Sequence, residues 1–170
     1  MSEDRSLVQD NRPIPFGERL KGSDVFRTLF KEGMALVEQT ANYLDGEGRA
    51  ESRLLNRAGS LAYATESMRL TTRLMQLASW LLLQRAVNEG EMTSEQASLE
   101  KSKVKLSGLS SATEGVGWEG LPERLRDLIG RSIRLQERIK RLDAPSPEPA
   151  SDNPVAAQLG MIASAFKFPG

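Results

Sequence analysis

The sequence predicts an all-α fold, an antiparallel three-helix bundle with a long central helix, a flexible N-terminal arm and a disordered C-terminal tail. Three observations predict it. Apolar residues recur at helical spacing in three long stretches. No proline interrupts Arg49 to Asn88, and five of the eight prolines fall after Asp143. The last helical stretch alternates apolar residues by four and three, as in a coiled-coil seam. The predicted organisation is an arm over residues 1–22, a bundle over 23–143 and a spacer with an apolar terminal peptide over 144–170.

The arm is polar, and Pro13-Ile14-Pro15-Phe16-Gly17 favours extended or turned backbone; Phe16 and Leu20 are its candidates for packing on the domain. A first helix is expected over about residues 24–45, with Ser23 as N-cap and Phe26, Leu29, Phe30, Met34, Val37, Ala41 and Leu44 on one stripe. Gly46 and Gly48 stop it. Arg49 to Asn88 reads as one helix of about 60 Å. One stripe runs through Leu54, Ala58, Leu61, Thr65, Met68, Thr72, Met75, Leu82 and Ala86. A second runs through Leu70, Leu74, Leu77 and Leu81, with Trp80 nearby. Two apolar stripes need two partners. Either the first and last helices cover both, or a second subunit covers one. Gly59 costs about 1 kcal/mol relative to alanine, and a break there is the alternative to one continuous helix.

Glu89-Gly90-Glu91 ends the central element, and Thr93 with Gln96 forms a capping-box pattern opening a short polar helix to about Val104. Ser107 to Gly120 reads as a surface excursion pinned by Trp118. The last helix opens at Pro122 in the N1 position, carries Glu123 in its first turn and Lys140 and Arg141 in its last, and presents Leu121, Leu125, Leu128, Ser132, Leu135, Ile139 and Leu142 as its seam.

Composition narrows the function. Lysine plus arginine equals aspartate plus glutamate at 23 each, so no global field draws nucleic acid or an anionic membrane. There is no cysteine and no histidine. Disulfides, thiolate chemistry, common zinc sites and an imidazole base are therefore excluded. No catalytic, cofactor-binding or metal-binding residue is assigned. The first residues lack the regions of a signal peptide, and no run of about 18 apolar residues suggests a membrane span, so a cytoplasmic protein is expected.

Three features invite a binding role. Arg124, Arg126, Arg131, Arg134, Arg138, Lys140 and Arg141 crowd the last helix, but interleaved acids favour a salt-bridged solvated face over a DNA surface. Arg69 and Arg73 lie one turn apart beside Glu66, with Arg53 and Arg57 repeating the spacing, and paired guanidiniums can receive a carboxylate or phosphate. The tail carries Val155, Leu159, Ile162 and Phe166 at amphipathic helical spacing, together with Met161 and Phe168. Behind the rigid spacer this peptide is expected to be disordered until bound, or to fold back on its own bundle. Gly115 to Gly120 lacks the strand and lysine of a phosphate loop.

Phe30-Lys-Glu-Gly-Met-Ala-Leu-Val37, the block from Tyr63 to Leu82 with Ala86 to Met92, and Arg131 to Asp143 resemble the alphaproteobacterial family of regulators of CtrA degradation. The resemblance implies a homodimeric, non-enzymatic adaptor for the ClpX/ClpXP protease. It further implies action on protease primed by the response regulator CpdR, with delivery of TacA and, through PopA, of CtrA. Recruitment to a cell pole and use of the tail in delivery are implied as well. The residues by themselves leave two rivals: a DNA-associated regulator using the basic last helix, and a magnesium- or carboxylate-dependent enzyme. Charge balance opposes the first, and the lack of a convergent acid cluster opposes the second.

Overall fold

The computed structural model describes residues 20–104 and 116–144. Most of the expected arm, the greater part of the Ser107 to Gly120 excursion and the whole terminal peptide lie outside these residues. The described residues form six helices and no strand: α1 (Asp24–Asp45), α2 (Glu47–Ser52), α3 (Arg57–Asn88), α4 (Ser94–Lys103), α5 (Val116–Glu119) and α6 (Glu123–Asp143). The all-α expectation holds. The clean three-helix bundle does not, because three short helices accompany the three long ones.

α1 buries Phe26, Leu29, Leu36 and Tyr43. Ser23 stands at its N-cap position but sends its hydroxyl proton back to Leu20 O at 2.7 Å instead of capping the first turn. Gly46 ends the helix, its N–H donating to Asn42 O and Tyr43 O. The chain then turns directly into α2, where Gly48 lies under two tyrosines. A Cβ there would come within 2.7 Å of Tyr43 Cε1 and Tyr63 Oη, and 2.8 Å of Tyr43 O. Tyr43 Oη donates to Glu51 Oε2 at 2.6 Å and ties α2 to the end of α1.

The expected continuous helix from Arg49 is broken between Ser52 and Arg57. Gly59 is not the breaking residue. Asn56 caps α3 by accepting the Gly59 N–H at 2.7 Å, so glycine sits at the third helical position while asparagine sets the start. α3 has 32 residues, about 48 Å of helix, and faces the core with Leu70, Leu74, Leu77, Trp80 and Leu81. α4 opens with the expected capping box, Thr93 Oγ1 accepting the Gln96 N–H and Gln96 Oε1 accepting the Thr93 N–H. Pro122 occupies the N-cap of α6 instead of N1, and its carbonyl accepts the Arg126 N–H. The α6 seam is buried from Leu121 to Ile139, joined by Ile129 and Gln136.

Contacts along the long helices fix their directions. Phe26 packs on Trp80 with ring centroids 6.4 Å apart, while Tyr43 meets Tyr63 around Gly48, so α1 and α3 are antiparallel. Arg131 reaches Gln39 and Arg138 reaches Glu32, so α1 and α6 are antiparallel as well. α3 and α6 run parallel. Arg73 meets Ser132, and further on Lys101 joins Gln84 of α3 to Asp143 at the end of α6. The antiparallel expectation is therefore corrected for this pair: the connection from Glu89 to Pro122 carries the chain back to the end of the bundle where α1 finishes and α3 starts. Gly33 permits a close approach of α1 to α3 and α6, since a Cβ there would stand 2.5 Å from Leu81 Cδ1 and 3.5 Å from Leu135 Cδ2.

Candidate docking face

The two stripes of α3 separate cleanly. Leu70, Leu74, Leu77 and Leu81 are at most 4% exposed, whereas Leu61, Met68, Met75 and Leu82 are 70%, 72%, 66% and 53% exposed. These four residues recur every seventh position and form one outward line. Thr65, Thr72 and Ser79 lie between them and Ala86 follows Leu82, completing an alternation of four and three. It is the pattern of a coiled-coil seam, and its four large side chains are exposed.

The hydroxyls on this line are satisfied within the helix. Thr65 Oγ1 donates to Leu61 O at 2.9 Å, Thr72 Oγ1 to Met68 O at 2.9 Å and Ser79 Oγ to Met75 O at 2.8 Å. Turned to their own backbone, these groups pose little desolvation cost to a partner. Full burial of each large side chain would contribute about 1.5–3 kcal/mol. A surface built this way favours protein association over small-molecule chemistry.

Arg69 and Arg73 are not brought together as a paired anion receiver. Arg69 is half-exposed and bound to Glu66 at 2.8 Å. Arg73 is fully buried, and its Nη1 donates to Ser132 Oγ at 3.0 Å. Burial holds the Arg73 pKa below its ordinary value; Glu66 opposes that fall and Arg69 adds to it. Position 73 lies between Leu70 and Leu77 at spacings of three and four, and that register was the sequence signal for burial. Arg53 falls in the turn after α2 while Arg57 opens α3, so they do not share a helical face.

The basic α6 is largely neutralised where it meets α1. Arg138 pairs with Glu32 at 2.6 Å, and Arg131 donates to Gln39 at 2.7 Å while lying 3.8 Å from Asp127. Lys140 pairs with Glu137 at 3.4 Å. Arg131 with Asp127 and Lys140 with Glu137 are pairs of the kind expected from the interleaved acids. At the far end of α3, a cleft of about 520 Å³ lies between α3, α4 and the end of α6, with Lys21, Lys101 and Asp143 among its lining residues. Lys101 Nζ donates to Gln84 Oε1 at 2.7 Å and sits 4.5 Å from the centre of the Trp80 ring. Among the described residues no group of three or more carboxylates gathers as a metal site would require. No described helix is long and apolar enough to cross a membrane. Val155, Leu159, Met161, Ile162, Phe166 and Phe168 lie outside the described residues.

Comparison with known proteins adds three findings. Residues 17–166 match the family described as protein of unknown function, DUF1465. No curated protein matches. The crystal structure of RcdA from Caulobacter crescentus CB15 is similar at 54% sequence identity and a TM-score of 0.59, covering 71% of this chain and 89% of that one. At that identity the two are relatives with distinct sequences.

Proposed function

Because the chain belongs to the DUF1465 family and is similar to a solved RcdA, we propose that it is a non-enzymatic adaptor of the ClpXP protease. The observation that carries this reading is the outward seam of α3. A chain without cysteine or histidine presents a long, internally satisfied apolar line, which is equipment for binding proteins.

In this reading the three long helices are a rigid bundle scaffold over residues 23–143, with the arm before it and the tail after it. Leu61, Met68, Met75 and Leu82 pair with the same line on a second copy, forming a homodimer. Docking on protease primed by CpdR, delivery of TacA, and delivery of CtrA with PopA follow from the family resemblance. Cytoplasmic placement with recruitment to a cell pole follows from the same source. No cofactor, nucleic acid or membrane is part of the proposal. Arg69 is the accessible member of the arginine pair and the one available to a partner's carboxylate.

Reconstituted degradation tests the function. Purified ClpX, ClpP and CpdR are mixed with TacA, with and without this protein. The expected result is cargo loss that needs both CpdR and the adaptor. Equal cargo loss without the adaptor overturns the reading.

A further inference from the structure

A second apolar feature lies beside the α3 seam. Val37, Ala41 and Leu44 of α1 face Thr71, Met75 and Ala78 of α3 across a cleft of about 300 Å³. Each helix offers positions three, four and seven apart, which is the groove a third helix fills. The single charged residue at its rim is Asp45, exposed at the end of α1.

We propose that the apolar peptide Val155 to Phe166 docks as a short helix in this α1–α3 cleft of its own chain. The inference goes beyond the adaptor reading and does not depend on it. Pattern, length, direction and charge each support this occupant.

Val155, Leu159, Ile162 and Phe166 form one stripe about 16 Å long as a helix. The cleft ladder from Val37 to Leu44 is about 10 Å long, so the stripe fills it with a small overhang at each end. The outward α3 seam from Leu61 to Leu82 is about 32 Å long and would leave half its length uncovered.

The tail starts from Asp143, which approaches Lys101 Nζ at 3.9 Å beside Gln84. From Gln84 to Ala78, at the entry end of the cleft, is about 9 Å along α3, and passing around one helix adds about 10 Å. Residues 145–154, with four prolines among ten residues, span roughly 30 Å when extended. The spacer is long enough, with about 10 Å of slack. Since α1 and α3 are antiparallel, Ala78 lies by Val37 and Thr71 by Leu44. A chain arriving from Gln84 therefore enters at the Val37 end and finishes at the Leu44 end. That direction brings Lys167, the one charged residue from Val155 to Gly170, to Asp45.

The chain has no cysteine, so Ser164→Cys places a single thiol on the peptide face opposite the stripe. A nitroxide there, in the full chain, is expected to broaden the methyl signals of Val37, Leu44 and Met75. Ile162→Asp on the peptide, or Ala41→Arg on the cleft, should each reduce that broadening about tenfold by placing charge in an apolar contact. Ala41 is exposed on α1, and the helical circular dichroism reports folding of each variant. Absence of broadening at these methyls overturns the proposal, as does broadening confined to Leu61, Met68 and Leu82. Broadening that appears only when a labelled chain is mixed with an isotopically enriched, unlabelled one also overturns it, since the occupant is then another copy's tail. None of these outcomes alters the degradation assay that tests the adaptor reading.

Discussion

Arg73 and Ser132 meet in the centre of the molecule: the guanidinium of one donates to the hydroxyl of the other at 3.0 Å, and neither residue is accessible to solvent. Ser132 in turn donates to Ile129 O at 2.7 Å, so its oxygen accepts from α3 while its proton stays with α6. Around this polar point pack Leu70, Leu77, Leu128 and Leu135, which tolerate little shift of one helix along the other. The contact marks the register of the two parallel helices.

Removing one partner from such a place costs more than replacing it by an apolar group. Arg73→Ala should lower stability by about 3–5 kcal/mol, through lost volume and disrupted hydrogen bonding. Arg73→Met, which fills similar space, should cost far less. Ser132→Ala, which removes the hydroxyl that accepts from Arg73 Nη1, should cost about 1–3 kcal/mol. Urea unfolding measures all three, and an Arg73→Met variant as unstable as Arg73→Ala would show that the charge itself holds the fold.

This pair also marks how far the sequence could be read. Ser132 was legible as a seam residue from its spacing, and Arg73 shares the register of Leu70 and Leu77. Its charge and its neighbour Arg69 nevertheless suggested a surface pair. Both α3 stripes were legible too, since each has helical period. Periodicity alone does not say which face turns inward. The inner face carries the larger branched side chains and Trp80, while the outer alternates leucine and methionine with small hydroxyl residues. The parallel course of α3 and α6 was not legible, because the connection from Glu89 to Pro122 is long enough to return the chain to either end. Asn56, not Gly59, starts α3, since a side-chain cap satisfies an N–H that a glycine leaves unmet.

Gly48 should resist even the smallest side chain. A methyl group there meets the Tyr43 ring and the Tyr63 hydroxyl at 2.7 Å and a backbone carbonyl oxygen at 2.8 Å, and the carbonyl cannot rotate away. Gly48→Ala is expected to cost about 1–3 kcal/mol, against the slight gain alanine usually brings inside a helix. Chemical denaturation checks it, and unchanged stability would mean that α2 shifts freely on α1.

The outward seam should govern self-association without governing folding. Leu61 and Met68 are 70% and 72% exposed, so Leu61→Glu with Met68→Glu removes little from the isolated core. The expected result is a monomer by light scattering at a concentration where the unaltered chain is a dimer, with the helical signal unchanged. A dimer that survives both changes places the self-association surface elsewhere.

Lys101 sets an alkaline dependence of stability. Its side chain is 12% exposed, lies over Trp80 and bonds to Gln84. Burial pushes its pKa down to about 8, Lys21 adds to the fall, and Asp143 opposes it. In the unfolded chain the group titrates near 10.5, so between about pH 8 and 10.5 the unfolded state binds more protons and stability rises with pH. The rise is at most about 3 kcal/mol. Tyr43 acts in the opposite sense. Burial, followed by its hydrogen bond to Glu51, holds its pKa above the ordinary 10.0, so its contribution is present below about pH 10 and lost above it. Thermal midpoints should therefore climb from about pH 8, peak near about pH 10 and then fall. Lys101→Met should remove the climb and leave the fall, whereas a climb of the same size in that variant would assign it to another group.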